Sequence, residues 1–128
     1  MNKSILRSLL FAPFLLFISC GDNNDEEVSN ITPQAEDIEL AANLLPANAA
    51  LAAKYDRSCR NCHARPDAAA PLTGHSAAWA PRFDAKGQQG LLTSTKLGLK
   101  AMPAMGLCND CSDPELTALI SFMAGGKD

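Results

Sequence analysis

Cys59-Arg60-Asn61-Cys62-His63 constrains this chain more than any other stretch of it. Two cysteines separated by two residues and followed directly by histidine form the C-x-x-C-H pattern of covalent haem attachment. The chemistry explains the spacing. Two thiols on one helical turn can form thioethers with the two vinyl groups of a haem, and the adjacent imidazole can project beneath the ring as an iron ligand. Other readings compete. A thioredoxin-like redox pair needs a βαβ context, and the sequence offers no alternating strand pattern. A structural zinc module could join Cys59 and Cys62 to Cys108 and Cys111. The 45 residues between the two pairs exceed the usual zinc-ribbon spacer, and His63 would have no role in such a site.

A haem iron also needs a sixth ligand, or an open position if it is to do chemistry. Methionine sulfur is soft, stabilises ferrous iron and raises the potential into the electron-transfer range. Met102 and Met105 lie about 40 residues downstream, in Lys100-Ala101-Met102-Pro103-Ala104-Met105-Gly106. This glycine- and proline-bounded loop is suited to reaching over a haem face. Met102, directly before Pro103, is the stronger candidate; Met105 reads better as packing. His75 is the other histidine, and as a loop residue it is expected to be solvated.

The chain divides into three segments. Residues 1–19 read as an export signal: Lys3 and Arg7 precede an apolar run, Leu9 to Ile18, that is too short to span a bilayer. The run ends in Phe17-Ile18-Ser19-Cys20-Gly21, which resembles the cleavage site of bacterial lipoproteins, where the cysteine becomes the lipidated first residue. Residues 20–46 carry seven acidic residues and no basic ones, so they read as a flexible leash, with a short helix possible over Ile38 to Leu45. Residues 47–128 form the folded domain, with nine Lys/Arg against seven Asp/Glu. The net charge of −3 thus comes from the leash. No basic block suggests nucleic acid. A small alanine-rich domain with 5% aromatics buries little surface and needs a staple or a cofactor.

Helical patterning is legible at three places. Ala49 to Cys59 puts Leu51 and Tyr55 on one face. Asp84 reads as the cap of a helix running to about Leu97, although Gly87 and Gly90 weaken it. The last helix is framed by Ser112 and Glu115 at capping-box spacing, Pro114 in the first turn and Gly125-Gly126 at the end. Its stripe of Leu116, Leu119, Ile120 and Met123 reads as core facing Leu51 and Tyr55.

From Tyr55 to Met123 the chain resembles the class I c-type cytochromes, and within them the cytochrome c5 group. The residues that carry the resemblance are Cys59-x-x-Cys62-His63, Ala70-Pro71, Ala77-Ala78-Trp79-Ala80-Pro81-Arg82, Gly98, Met102-Pro103 and Cys108-x-x-Cys111-Ser112-Asp113-x-Glu115-Leu116. The resemblance implies an all-α fold, helices wrapped around one covalently attached haem c. It implies His63 as proximal ligand, Met102 as distal ligand, and the Pro71 carbonyl as acceptor for the non-ligating nitrogen of His63. Trp79 and Arg82 would lie near the haem propionates. Cys108 and Cys111 match the family's extra disulfide, worth about 2 kcal/mol on chain entropy alone. His75 departs from the family, which has an acidic residue there. With lipid on Cys20, every cysteine is assigned.

These observations together predict a membrane-tethered monohaem electron carrier, not an enzyme, facing the periplasm from the bacterial cell envelope. Its partners would be a redox protein donor and acceptor, with the membrane reached through Cys20, no nucleic acid, and a monomeric state. A haem enzyme or gas-binding sensor would need an open sixth site, and a zinc module would carry no haem.

Overall fold

Residues 31–126 are described in a computed structural model of the chain. The expected signal segment, Cys20 and the first part of the leash lie outside the described residues. Among the described residues the α-helices α1 Ala35–Asn43, α2 Ala49–Arg57, α3 Arg60–His63, α4 Ser76–Leu97 and α5 Asp113–Met123 follow one another. Short 3-10 turns occupy Pro66–Ala68 and Ala104–Leu107. Among the described residues no strand forms; Leu99 and Met102 make one isolated antiparallel bridge. The architecture is all-α.

Helix α2 starts where the Asn48 side chain accepts the amides of Ala50 and Leu51, satisfying donors that have no partner within the helix. Its Tyr55 is fully buried and meets Phe122 of α5 edge-on, with ring centroids 5.2 Å apart. Leu51 packs against the same cluster. Helix α5 pairs with α2 through Phe122, which leaves its apolar stripe for another surface, described below.

Helix α4 departs from the sequence expectation. It begins at Ser76, eight residues before Asp84, and its break falls at Gly87, whose φ of 62° and ψ of 173° are not helical. Asp84 is therefore interior rather than a cap. Trp79 and Ala78, both buried, hold the early turns in place despite Pro81, which removes one helical amide. Beyond the break Leu91 and Leu92 are buried, and Gln88 links to α5 through the Thr117 carbonyl at 3.2 Å and the Ser121 hydroxyl at 3.3 Å.

The second half of the expected leash is helical, as its Ile38 to Leu45 stretch allows, but it is docked rather than free. Residues 35–43 form α1, Ala41 is fully buried, and Leu44 packs against the core. Burial of one small face holds this acidic stretch on the domain. Among the described residues the folded unit thus includes α1, ahead of residue 47.

Lys54 of α2 contacts Glu115 at 2.7 Å, and Glu115 also accepts from the Ser112 amide and hydroxyl, each at 2.9 Å. The Lys54 ammonium first, and then the two Ser112 donors, pull the Glu115 carboxyl from 4.5 down to about 2. A depressed carboxyl stabilises the fold fully above its unfolded value and loses that contribution as pH falls through the folded value. Thermal stability followed by circular dichroism is therefore expected to fall as pH drops from about 4.5 to about 2. Glu115→Gln should remove this part of the slope; an identical acid profile in the variant would refute the assignment.

Candidate haem-binding site

The attachment turn is built by α3 and the residue before it. Cys59 is αR, and its carbonyl accepts the His63 amide at 2.9 Å, so both thiols and the imidazole leave a single helical turn. Cys59 is buried and Cys62 exposed, and both are free thiols. Burial pushes the Cys59 thiol upward, which keeps it protonated. His63 is 6% exposed, and its Nδ1–H donates to the Pro71 carbonyl at 2.8 Å. That bond sets the tautomer and leaves Nε2 as the nitrogen able to bind a metal. Burial lowers the His63 pKa, with Arg82 adding to it, while the bond to Pro71 opposes the shift. The neutral form is the one a metal needs.

Cys59, Cys62 and His63 line one side of a cleft of about 440 Å³. Met102, Pro103, Gly106 and Leu107 line it from the methionine loop. Leu116, Leu119, Ile120 and Met123 of α5 form its floor. The α5 stripe is therefore a cleft wall as well as core. From the sequence it reads only as core. The available signal was its width: Leu116, Leu119, Ile120, Phe122 and Met123 are all buried, an arc broader than one partner helix needs.

The methionine loop is shaped by its glycines. Gly98 has φ of 84°, and a Cβ there would fall 2.9 Å from the Met102 carbonyl oxygen and 3.0 Å from the Ala104 amide. Only glycine lets the chain turn back this tightly. Lys100, Met105 and Leu107 also hold positive φ, so the loop is committed to one unusual path. On that path Met102 lines the cleft. Met105 instead packs against the hydrophobic cluster.

The remaining predicted residues fall around the cleft rather than in it. Trp79 stacks on His63 with centroids 5.6 Å apart and donates its indole N–H to the Leu72 carbonyl at 2.9 Å. Arg82 is exposed and donates to the Ala78 carbonyl. The resemblance puts both near the propionates; neither lines the cleft, and the Trp79 donor already has a backbone partner. His75 is buried at 5% instead of solvated, because it sits at the start of α4 under α1, and it is not part of the cleft wall. Cys108 and Cys111 form a disulfide with Cα atoms 5.3 Å apart, between the methionine loop and α5. Among the described residues no group of three His, Cys, Asp or Glu converges as an ion site, so the zinc reading has no donor set.

The residues present fit a covalently held haem. Two free thiols open beside a neutral imidazole into an apolar cleft, with a soft thioether on the facing loop.

Residues 46–123 match the family model of cytochrome c oxidase, cbb3-type, subunit III. The chain is 51% identical over 74 residues to cytochrome c5 of Azotobacter vinelandii, covering 57% of this chain and 86% of that protein. It is 41% identical over 70 residues to cytochrome c5 of Ectopseudomonas mendocina, covering 54% and 80%. It is 37% identical over 77 residues to cytochrome c-555 of Chlorobaculum tepidum, covering 57% and 70%.

Proposed function

The chain belongs to the class I c-type cytochromes, electron carriers with one covalently bound haem c, and on that premise we propose its ligands, its tether and its setting. Cys59 and Cys62 would hold the haem through thioethers, and His63 and Met102 would ligate its iron. When bound, the haem iron supplies the reversible one-electron step. The observation that carries this reading is that both cysteines, His63 and Met102 line one apolar cleft.

A methionine in the sixth position leaves no open site for substrate and favours the ferrous state. Among the described residues Ser58 and Thr95 supply hydroxyl groups to the cleft wall, and no carboxylate lines it to serve a peroxidase as acid or base. Both features favour a carrier over a haem enzyme or gas sensor. Donor and acceptor proteins would dock where Leu97, Leu99 and Leu107 expose apolar surface at the two ends of the methionine loop. Such a surface excludes water from the electron-transfer contact.

Lipid on Cys20 would hold the domain, as a monomer, to a membrane of the cell envelope on its periplasmic side. No described helix is long and apolar enough to cross a membrane. With α1 docked, the chain between Cys20 and Ala35 can span at most about 50 Å. This limits the tether to partners close to the same membrane.

Purified from the envelope of its host, the full-length protein should show low-spin haem bands with a weak methionine-to-iron charge-transfer band. Its mature N-terminus should be an acylated Cys20 by mass spectrometry, and Cys20→Ala should move it from the membrane to the soluble fraction. High-spin bands would favour the enzyme or sensor; an unmodified Cys20 would remove the tether.

A further inference from the structure

The loop Pro71–His75 is held at every residue, and part of that hold comes from outside the matched family domain. Pro71 accepts His63 Nδ1–H, and Leu72 accepts the Trp79 indole. The Thr73 amide donates to the His63 carbonyl at 2.8 Å, and its hydroxyl pairs with the buried Tyr55 hydroxyl at 2.8 Å. The Gly74 amide donates to the Met123 carbonyl at 2.8 Å.

Helix α1, which precedes the matched residues 46–123, supplies the rest. Leu40 and Leu44 lie so close to Gly74 that a Cβ there would fall 3.1 Å from Leu40 Cδ2 and 2.8 Å from Leu44 Cδ1. Asp37 Oδ2 stands 3.9 Å from His75 Nε2. At the other end, Arg60 donates to the Ala42 carbonyl at 2.6 Å while contacting Asp56 at 2.6 Å. Arg60 lies between the two attachment cysteines. Helix α1 therefore touches both backbone segments that meet at His63: the attachment turn and the loop that receives its Nδ1–H.

We infer that α1 is a brace for the haem-binding histidine His63, with Leu40 and Leu44 as positioning residues that act through Gly74. The inference rests on the reading of His63 as an iron ligand. A nine-residue helix is marginal alone in water, so α1 owes its order to this docking. By the same coupling, docking opposes local opening of the loop. The Pro71 carbonyl then stays on Nδ1, which fixes the ring plane and raises the basicity of the ligand. The N-terminal segment thus does more than connect the domain to an anchor; it helps set the donor strength of the proximal imidazole.

The test uses the full-length ferrous holoprotein and reads solvent exchange of the His63 Nδ1–H by NMR. Leu40→Ala/Leu44→Ala should speed that exchange about tenfold. Leu40→Met/Leu44→Met, which keeps the apolar contact, should restore the wild-type rate. Leu92→Ala, a core variant on α4 away from the loop, should lower thermal stability without speeding this exchange. Should the double alanine variant fail to fold, Arg60→Gln removes only the link to Ala42 and its Asp56 contact and carries the same expectation. Unchanged exchange in the α1 variants, or an equal rise in Leu92→Ala, overturns the brace. A wild-type spectrum with no haem-shifted His63 Nδ1–H sinks the ligand assignment itself, and the brace with it.

Discussion

Cys59→Ala/Cys62→Ala is expected to produce a protein with no haem on a denaturing gel and no cooperative thermal transition. Wild-type protein should keep its haem through the same treatment and through acid–acetone extraction. Both effects follow from the cleft. Without haem the apolar wall of the cleft faces solvent instead of a packed partner, and each Leu- or Ile-sized side chain left so exposed costs about 1.5–3 kcal/mol. A whole small domain is stable by only about 5–15 kcal/mol. The haem thus fills space that the side chains cannot, and Leu116, Leu119, Ile120 and Met123 lose their packing partner without it. Each single variant should keep one thioether and an intermediate stability. Haem that stays with the denatured double variant, or that is extracted from the wild type, would refute covalent attachment at this turn.

The residues legible in the sequence are those whose chemistry is local. Cys59, Cys62 and His63 must share one turn to serve one ring, so their spacing survives in the text whatever surrounds it. Met102 is legible for a related reason: Gly98, Pro103 and Gly106 mark a loop whose path only such residues permit. The end of the fold is legible too, because the Ser112–Glu115 box is a local interaction. What stays hidden depends on distant partners. A helix within Ile38 to Leu45 is legible, but its docking escapes because its fully buried residue is an alanine, and its acids mask the docked face. His75 is read as solvated until α1 covers it. The early turns of α4 escape because Pro81 argues locally against a helix, while the burial of Trp79 under His63 decides the matter. The dual role of the α5 stripe is invisible without the cleft, since core and cofactor contacts use the same apolar residues.

Met102→Ala and Met105→Ala are expected to separate sharply, although the two methionines lie three residues apart. Met102 shares the cleft with His63, whereas Met105 turns into the hydrophobic cluster. Replacing Met102 should abolish the methionine-to-iron band. It should also lower the reduction potential by more than about 59 mV, a tenfold change in a one-electron equilibrium. The sign follows from ligand softness: a thioether stabilises ferrous iron, and water or an empty site does so less well. Removing it also opens a sixth position, so weak peroxidase activity and binding of small gaseous ligands should emerge in this variant. Replacing Met105 removes half-buried packing, at about 1–2 kcal/mol of stability, and should leave the band and the potential close to wild type. Spectra and redox titrations of the two purified variants make the comparison direct. If Met105→Ala loses the band while Met102→Ala retains it, the loop must turn over around Gly106 when the haem is in place. The positive φ at Met105 and Gly106 would then mark the pivot rather than a fixed path.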